Sequence, residues 1–169
     1  MKRLSLFFMA LLVSVSFSFA KDLKDIKFAV VDMEQAILKS KEGLKYKKEM
    51  EEKLSYYKKQ LEDLQKKYQE IDKQLKSPVL SEEGKKKKME EKKKIEEKIR
   101  NLQVRATQEL SKMKAEAEKK LVDKVKEVVK KYAQKHKIDV VFIKALLVGV
   151  LYSSPKIDIT EDIIREMNK

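Results

Sequence analysis

Of the 169 residues, 41 are basic and 28 acidic, so 41% of the chain is charged, where an ordinary globular domain has roughly 25%. One compact core is not expected from so polar a chain, and three Gly, two Pro and no Trp leave too few turn signals for a sandwich or barrel of many short strands. The absence of Cys excludes disulfides, thiolate metal sites and a Cys nucleophile. Lys outnumbers Arg by 37 to four. Ammonium groups are hydrated point charges without the planar fork of guanidinium, so this excess suits loose attraction to acidic partners rather than bidentate reading of phosphates or bases.

In chain order, Lys2 and Arg3 precede an apolar run from Leu4 to Phe17, and Ser18-Phe19-Ala20 puts small residues at the two positions a signal peptidase reads. Residues 1–20 are therefore expected to be a cleaved export signal. A membrane anchor fits less well, because Ser14, Ser16 and Ser18 interrupt the run and a spanning helix needs about 20 apolar residues. From Lys21 onward 39 basic and 28 acidic residues remain, a formal charge of +11. This part is expected to be soluble and outside the cytoplasm.

A first β-like run, Lys27 to Asp32, is followed by a long helical pattern. From Met50 the apolar positions are Met50, Leu54, Tyr57, Leu61, Leu64, Tyr68, Ile71 and Leu75, in alternating steps of four and three. That heptad seam predicts a helix packed along a narrow stripe against another helix. Lys76-Ser77-Pro78 ends it, since Pro lacks a backbone donor and pushes the preceding residue out of helical geometry. Ser81 then caps a second helix with Glu82 and Glu83 in its first turn, where the helix dipole favours acids. This helix is predicted to run to about His136.

Its stripe reads Ile95, Ile99, Leu102, Ala106, Leu110, Met113, Ala117, Leu121, Val125, Val128 and Tyr132. The spacing is wider than a heptad, so supercoiling should be weak. Between Gly84 and Lys94 only Met89 is large and apolar, and the tip should fray. Folding the chain back at the turn puts position 44 opposite about 114, an arm of roughly 50 Å at 1.5 Å per residue. On that register Glu118 to Lys135 have no partner on the descending arm and must pack against the chain ends. The ends hold the β-branched runs Lys27 to Asp32, Ile138 to Ile143 and Ala145 to Tyr152.

Three short strands make a poor core alone, so a small sheet shared between chains is expected. The predicted fold is mostly α with a small β body: a long antiparallel helical hairpin, plus short strands from both ends forming an oligomeric, barrel-like body. The body comprises residues 21–43 and 118–169, the hairpin 44–117, and the tip lies near 77–81. Phe28, Val30, Val140, Phe142, Leu147, Leu151 and Ile159 would build the assembling body. Near the C-terminus Thr160 reads as an N-cap, with Ile163, Ile164 and Met167 as the apolar face of a short helix lidding the sheet.

The inventory for chemistry is thin. His136 is the only histidine, it sits in a predicted last turn where a cation complements the dipole, and no Gly-rich loop exists to cradle phosphate. Neither catalysis nor a metal or other cofactor is expected. The pairs Glu51-Glu52, Glu82-Glu83, Glu90-Glu91 and Glu96-Glu97 lie among lysines and read as intrahelical ion pairs. The runs Lys85, Lys86, Lys87, Lys88 and Lys92, Lys93, Lys94 read either as an electrostatic lure for acidic chains or lipid phosphates, or as a solvated helix face. Nucleic acid fits poorly, because no aromatic residues interleave with the lysines. Tyr46, Tyr56, Val104 and the tip pair Val79-Leu80 lie off the seam and, with Met89, are candidate contacts for an unfolded chain.

The opening Lys27-Phe-Ala-Val-Val-Asp32-Met33, the charged hairpin, Ile138-Asp139-Val140-Val141, Leu151-Tyr152-Ser153-Ser154 and Asp158-Ile159-Thr160 together resemble the Skp/OmpH family of periplasmic chaperones. One departure is Phe142-Ile143-Lys144, where that family's pattern leads us to expect an acid. The resemblance implies a homotrimer with a β-barrel body and three helical arms around a cavity. It implies ATP-independent capture of unfolded outer-membrane proteins, and an association with lipopolysaccharide or anionic lipid. The alternative is a non-catalytic envelope scaffold, a coiled coil bridging folded partners.

Overall fold

The computed structural model describes residues 25–144 and 150–169. The expected export signal, Leu147 and most of the third expected strand lie outside the described residues. In chain order the elements are β1 (Phe28–Val31), α1 (Met33–Lys39), α2 (Lys41–Leu75), α3 (Glu82–His136), β2 (Val140–Ile143), one 3₁₀ turn (Pro155–Ile157) and α4 (Thr160–Met167). The chain is thus mostly helical, with a two-stranded sheet at the base of a two-helix arm.

The helix ends follow the residues at them. Asp32 Oδ1 accepts from the Gln35 amide at 2.8 Å to cap α1. Ser40 closes α1 and opens α2: its hydroxyl donates to the Ile37 carbonyl at 2.8 Å and accepts from the Gly43 amide at 3.0 Å. Ser81 caps α3 by accepting from the Gly84 amide at 3.1 Å, as the sequence predicts. Lys137 ends α3 in the left-handed region, at φ 55°.

β1 and β2 are parallel, with Phe28 opposite Val140 and Val31 opposite Ile143. The hairpin between them serves as the crossover a parallel pair requires. On its other edge β1 is bridged to Asp158, and the Ile159 amide donates to the Val30 carbonyl at 2.9 Å. β1 is therefore held on both sides. Ala29 and Val31 point into a core with Ala36, Val125, Ile159, Ile163, Ile164 and Met167, flanked by Val128, Val129 and Tyr132. The C-terminal end of α3 and the short α4 thus cover one face of the sheet.

Several expectations are corrected. Thr160 does not cap α4: Ile159 occupies the N-cap position without a side-chain bond. The buried Thr160 hydroxyl instead accepts from the Asp32 amide at 2.9 Å and donates to Asp158 Oδ1 at 2.6 Å. Joining the chain ends takes the group that the local sequence assigns to a cap.

The arm register also differs. Lys92 meets Asp72 at 2.6 Å, Tyr68 donates to Glu96 at 3.0 Å, and Glu42 meets Lys120 at 2.9 Å and Lys124 at 2.5 Å. Position 42 therefore faces 120–124, where the expected register, with 44 opposite about 114, puts it opposite about 116. The cause lies in the connection, where Leu80 rests beside the first turn of α3 at Gly84. The chain turns over Ser77–Leu80, where the Leu80 amide donates to the Ser77 carbonyl at 3.5 Å, and the pairs Asp72–Lys92 and Tyr68–Glu96 centre the hairpin near Glu82. Only the part of α3 from about Val125 onward belongs to the body alone.

The seam residues Tyr57 and Ile71 are buried, as are Ile95, Ala106 and Leu121 opposite them. Leu54 was expected among them but is 56% exposed. At that level the Tyr57 ring fills the seam and its hydroxyl donates to Glu109, which also holds Lys53.

The bend between α1 and α2 demands Gly43. A Cβ there would lie 1.9 Å from the Ile37 carbonyl oxygen, a backbone atom that cannot swing away. Gly→Ala inside a helix ordinarily stabilises by up to about 1 kcal/mol. Gly43→Ala should instead destabilise by about 1–3 kcal/mol, measured by thermal unfolding. Gly84→Ala, whose Cβ would meet only side-chain atoms of Leu80 and Ser81, should be tolerated far better.

Candidate functional site

The candidate contact residues are distributed along the arm and do not converge. Val79 at the tip is 90% exposed, and Tyr56, Met89 and Val104 are each about half exposed. Tyr56 stands edge-on against Tyr57 with centroids 5.4 Å apart. Tyr46 is half-buried under Lys120, whose ammonium lies 5.4 Å from the ring. Leu80 is half-buried against Gly84. Between the helices runs a shallow groove of about 330 Å³ lined by Gln65, Tyr68, Glu96, Ile99, Arg100 and Gln103. The arrangement offers many small apolar contacts in a charged surround.

The tip lysines split into two groups. Lys85, Lys87 and Lys88 pair with Glu82, Glu83 and Glu91 at 2.7, 2.7 and 2.8 Å. Lys92 reaches across to Asp72 and lies over the Tyr68 ring at 4.6 Å. Lys86, Lys93 and Lys94 form no ion pair among the described residues. Glu51, Glu52, Glu82, Glu83 and Glu91 pair with lysines of their own helix as expected, whereas Glu90 and Glu97 form no ion pair among the described residues. Glu96 is different, because it accepts from Tyr68 of the other helix.

At the base, the sheet's outward side carries apolar residues. Phe28 stacks on Phe142 with centroids 6.0 Å apart, and Phe28, Val140 and Phe142 are 44%, 38% and 46% exposed. Leu151 and Tyr152 stand fully or largely in solvent and are not strand. Val30 and Ile159 are already buried within the protomer: Ile159 packs in the core with Ala29 and Val31, whereas Val30 lies on the Phe28 side of the sheet, opposite Phe142.

Lys144, the departure from the expected acid, donates its backbone amide to the Val31 carbonyl at 2.9 Å and sets its ammonium 3.5 Å from Asp158. Burial opposes ionisation of Asp158, but the Thr160 hydroxyl and amide and the Lys144 charge outweigh it and hold its carboxyl below the usual range. His136 stacks on Tyr132 in the last turn of α3, with centroids 4.1 Å apart. Among the described residues no group of three or more His, Cys, Asp or Glu is placed to hold a metal ion. Nor is any helix among them long and apolar enough to cross a membrane.

Sequence reasoning missed how the arm root is held. Asn168 Oδ1 accepts from the Lys41 amide at 2.7 Å, and the Asn168 carbonyl accepts from the Lys41 ammonium at 2.9 Å. Asn168 thus satisfies an orphan donor at the start of α2 from the far end of the chain. No local pattern signals a cap supplied from that distance.

Cross-arm carboxylates are tuned by their lysines. Lys76 and Lys92 hold the Asp72 carboxyl down at about 2. Lys120 and then Lys124 lower Glu42, and Lys53 with the Tyr57 hydroxyl lowers Glu109. A carboxyl depressed on folding stabilises the fold above its unfolded pKa and loses that contribution as pH falls through the folded value. A spin-label pair at Gln69 and Lys93 should therefore report a widening distal arm as pH falls from about 4 to about 2. Asp72→Asn should already show much of that widening at neutral pH.

Comparison with known proteins places these features. Residues 27–167 match the family described as "Outer membrane protein (OmpH-like)". The chain is also similar to an uncharacterized protein of Aquifex aeolicus (strain VF5), 38% identical over 161 residues, covering 95% of this chain and 93% of that one. The match begins at the residue before β1 and ends at the last residue of α4, so body and arm fall within it together, and the chain belongs to the OmpH-like family.

Proposed function

We propose that this protein is an ATP-independent periplasmic holdase. It captures unfolded outer-membrane proteins between helical arms and keeps them from aggregating. The observation that carries this reading is the arm itself: a long charged hairpin whose exposed Tyr56, Val79, Met89 and Val104 are scattered one at a time over its length. Such a surface suits many weak contacts with a chain that has no fixed shape, so avidity replaces a single strong site. Membership of the OmpH-like family supports a chaperone-type role in the periplasm. The positive excess adds long-range attraction for acidic clients.

The division into a body of residues 21–43 and 118–169 and a hairpin of 44–117 is part of this proposal. The body assembles three chains through the outward side of the sheet, where Phe28, Val140 and Phe142 lie exposed. Leu147 and Leu151 join them, with Val30 on the same side of the sheet and Ile159 beneath. Three arms then enclose one client. Lipopolysaccharide or anionic lipid is a secondary partner that the lysine runs permit.

Light scattering on the size-separated protein, alone and after dilution of a urea-unfolded outer-membrane β-barrel protein without nucleotide, tests the reading. Three chains alone and a soluble complex with about one client support it. A monomer or dimer that leaves the client to aggregate, yet binds a folded partner at fixed stoichiometry, makes the protein an envelope scaffold instead. Alanine at Tyr46, Tyr56, Val79 or Met89 singly should change client holding by less than about twofold. Raising salt from about 0.1 M to about 1 M shortens the screening length from about 10 Å to about 3 Å. That should weaken capture without ending it, since apolar contacts are not screened.

A further inference from the structure

The two helices of the arm are fastened to the base by different chemistry. α3 runs without a break from Glu82 to His136 and joins the core through Val125, Val128, Val129 and Tyr132. That attachment is largely apolar. α2 is joined to the base covalently only through the bend at Ser40, and from Leu44 to Tyr56 none of its residues is buried. Leu44 and Leu54 are more than half exposed, while Tyr46 and Met50 are half-buried. A cleft of about 380 Å³, bordered by Lys41, Tyr46, Lys120 and Met167, lies between these first turns and the neighbouring helices.

What holds the start of α2 down is polar. Asn168 is fixed at the end of α4, its amide donating to the Arg165 carbonyl at 3.2 Å, next to Met167 in the core. From there its Oδ1 accepts from the Lys41 amide at 2.7 Å, and its carbonyl accepts from the Lys41 ammonium at 2.9 Å. The Lys39 pair with Glu161 at 3.3 Å is more than half exposed at both partners and contributes little. Both Asn168 bonds are exposed, and such a bond contributes little net stability because water replaces either partner when it breaks. A segment without buried side chains, held at its start by bonds that water can replace, has the features of a locally opening unit.

We propose that Asn168 is a clip that sets the position of the first turns of α2 against the base. With the clip closed, residues 41–56 lie along α3, and the half-buried seam residues Met50, Met113 and Ala117 stay partly covered. With it open, residues 41–56 lift while α3 remains anchored in the core, and the root of the arm gains an apolar strip. The distal seam, where Tyr57 and Ile71 are buried, stays closed. Opening also gives up the pairs of Glu42 with Lys120 and Lys124, which keeps the clipped form dominant. The clip joins parts of one chain, so it operates whatever the number of chains and whatever the arm holds.

The chain has no Cys, so Met50→Cys supplies a single thiol whose rate of reaction with a maleimide reports opening. In that background Asn168→Ala removes the Oδ1 acceptor and should speed labelling about fivefold. Asn168→Asp sets a carboxylate at the N-terminus of α2 beside the Lys41 ammonium and should slow labelling about threefold. Hydrogen exchange read by mass spectrometry should move in the same two directions over residues 41–56. Over residues 95–106 and 160–167 it should match the parent protein.

Labelling left unchanged by Asn168→Ala, or moved in one direction by both variants, would overturn the proposal. So would faster exchange that spreads equally over α4, because Asn168 would then support the base as a whole. Should Asn168→Ala fail to fold by circular dichroism, Asn168→Asp decides by the sign of its effect: slower labelling supports the clip, and equal or faster labelling overturns it.

Discussion

The Thr160 hydroxyl is the point at which the two ends of this chain are joined. It accepts from the backbone of Asp32, at the exit of the first strand, and donates to Asp158, which bridges that strand's free edge. Everything between is one long excursion: out along α2, back along α3, and home through β2. A two-stranded parallel sheet has little stability of its own. Here it persists because β1 is clamped on both edges and covered by the returning end of α3 and by α4. The arm can be long and thinly cored because the base that holds its ends is closed.

The arm itself is a balance between a narrow apolar seam and a dense charge pattern. Tyr57, Ile71, Ile95, Ala106 and Leu121 bury along the contact, while most surface glutamates are spent on lysines of their own helix. Such exposed pairs add little stability each, but they leave the outer faces hydrated. The cross-arm pairs do something different. Asp72 with Lys92, Glu109 with Lys53 and Glu42 with Lys120 and Lys124 mark three levels along the hairpin. An apolar seam of similar side chains tolerates slippage, and discrete ion pairs at fixed levels select one register.

The same pairing decides where the electric field of the molecule is strongest. Counting lysines points to the tip, yet the tip lysines stand among glutamates that take up three of them, and Asp72 takes a fourth. Charge that is left over, and not charge that is present, attracts a partner. At the root Glu42 takes up Lys120 and Lys124 and Glu127 takes up Lys131, while Lys119, Lys126 and Lys130 form no ion pair among the described residues.

Periodicity alone made both long helices legible, with their ends at Leu75, Ser81 and His136, because hydrophobic spacing and capping residues act within a few residues of one another. The same is true of β1, β2 and the apolar face of α4. The exposure of Tyr56, Val79, Met89 and Val104 was legible too, because these apolar side chains lie off the seam. What no local pattern carries is which partner a polar group takes when several compete. Thr160 reads as a cap but bonds across the body, and Asn168 caps a helix whose start lies at the other end of the chain. The register of the arm turned on which carboxylates and ammonium groups meet across it, and the unpaired charge on which lysines found a carboxylate. Sequence determined the elements because their causes are local, and tertiary structure decided their register, joining and surplus charge because those depend on distances between residues far apart in the chain.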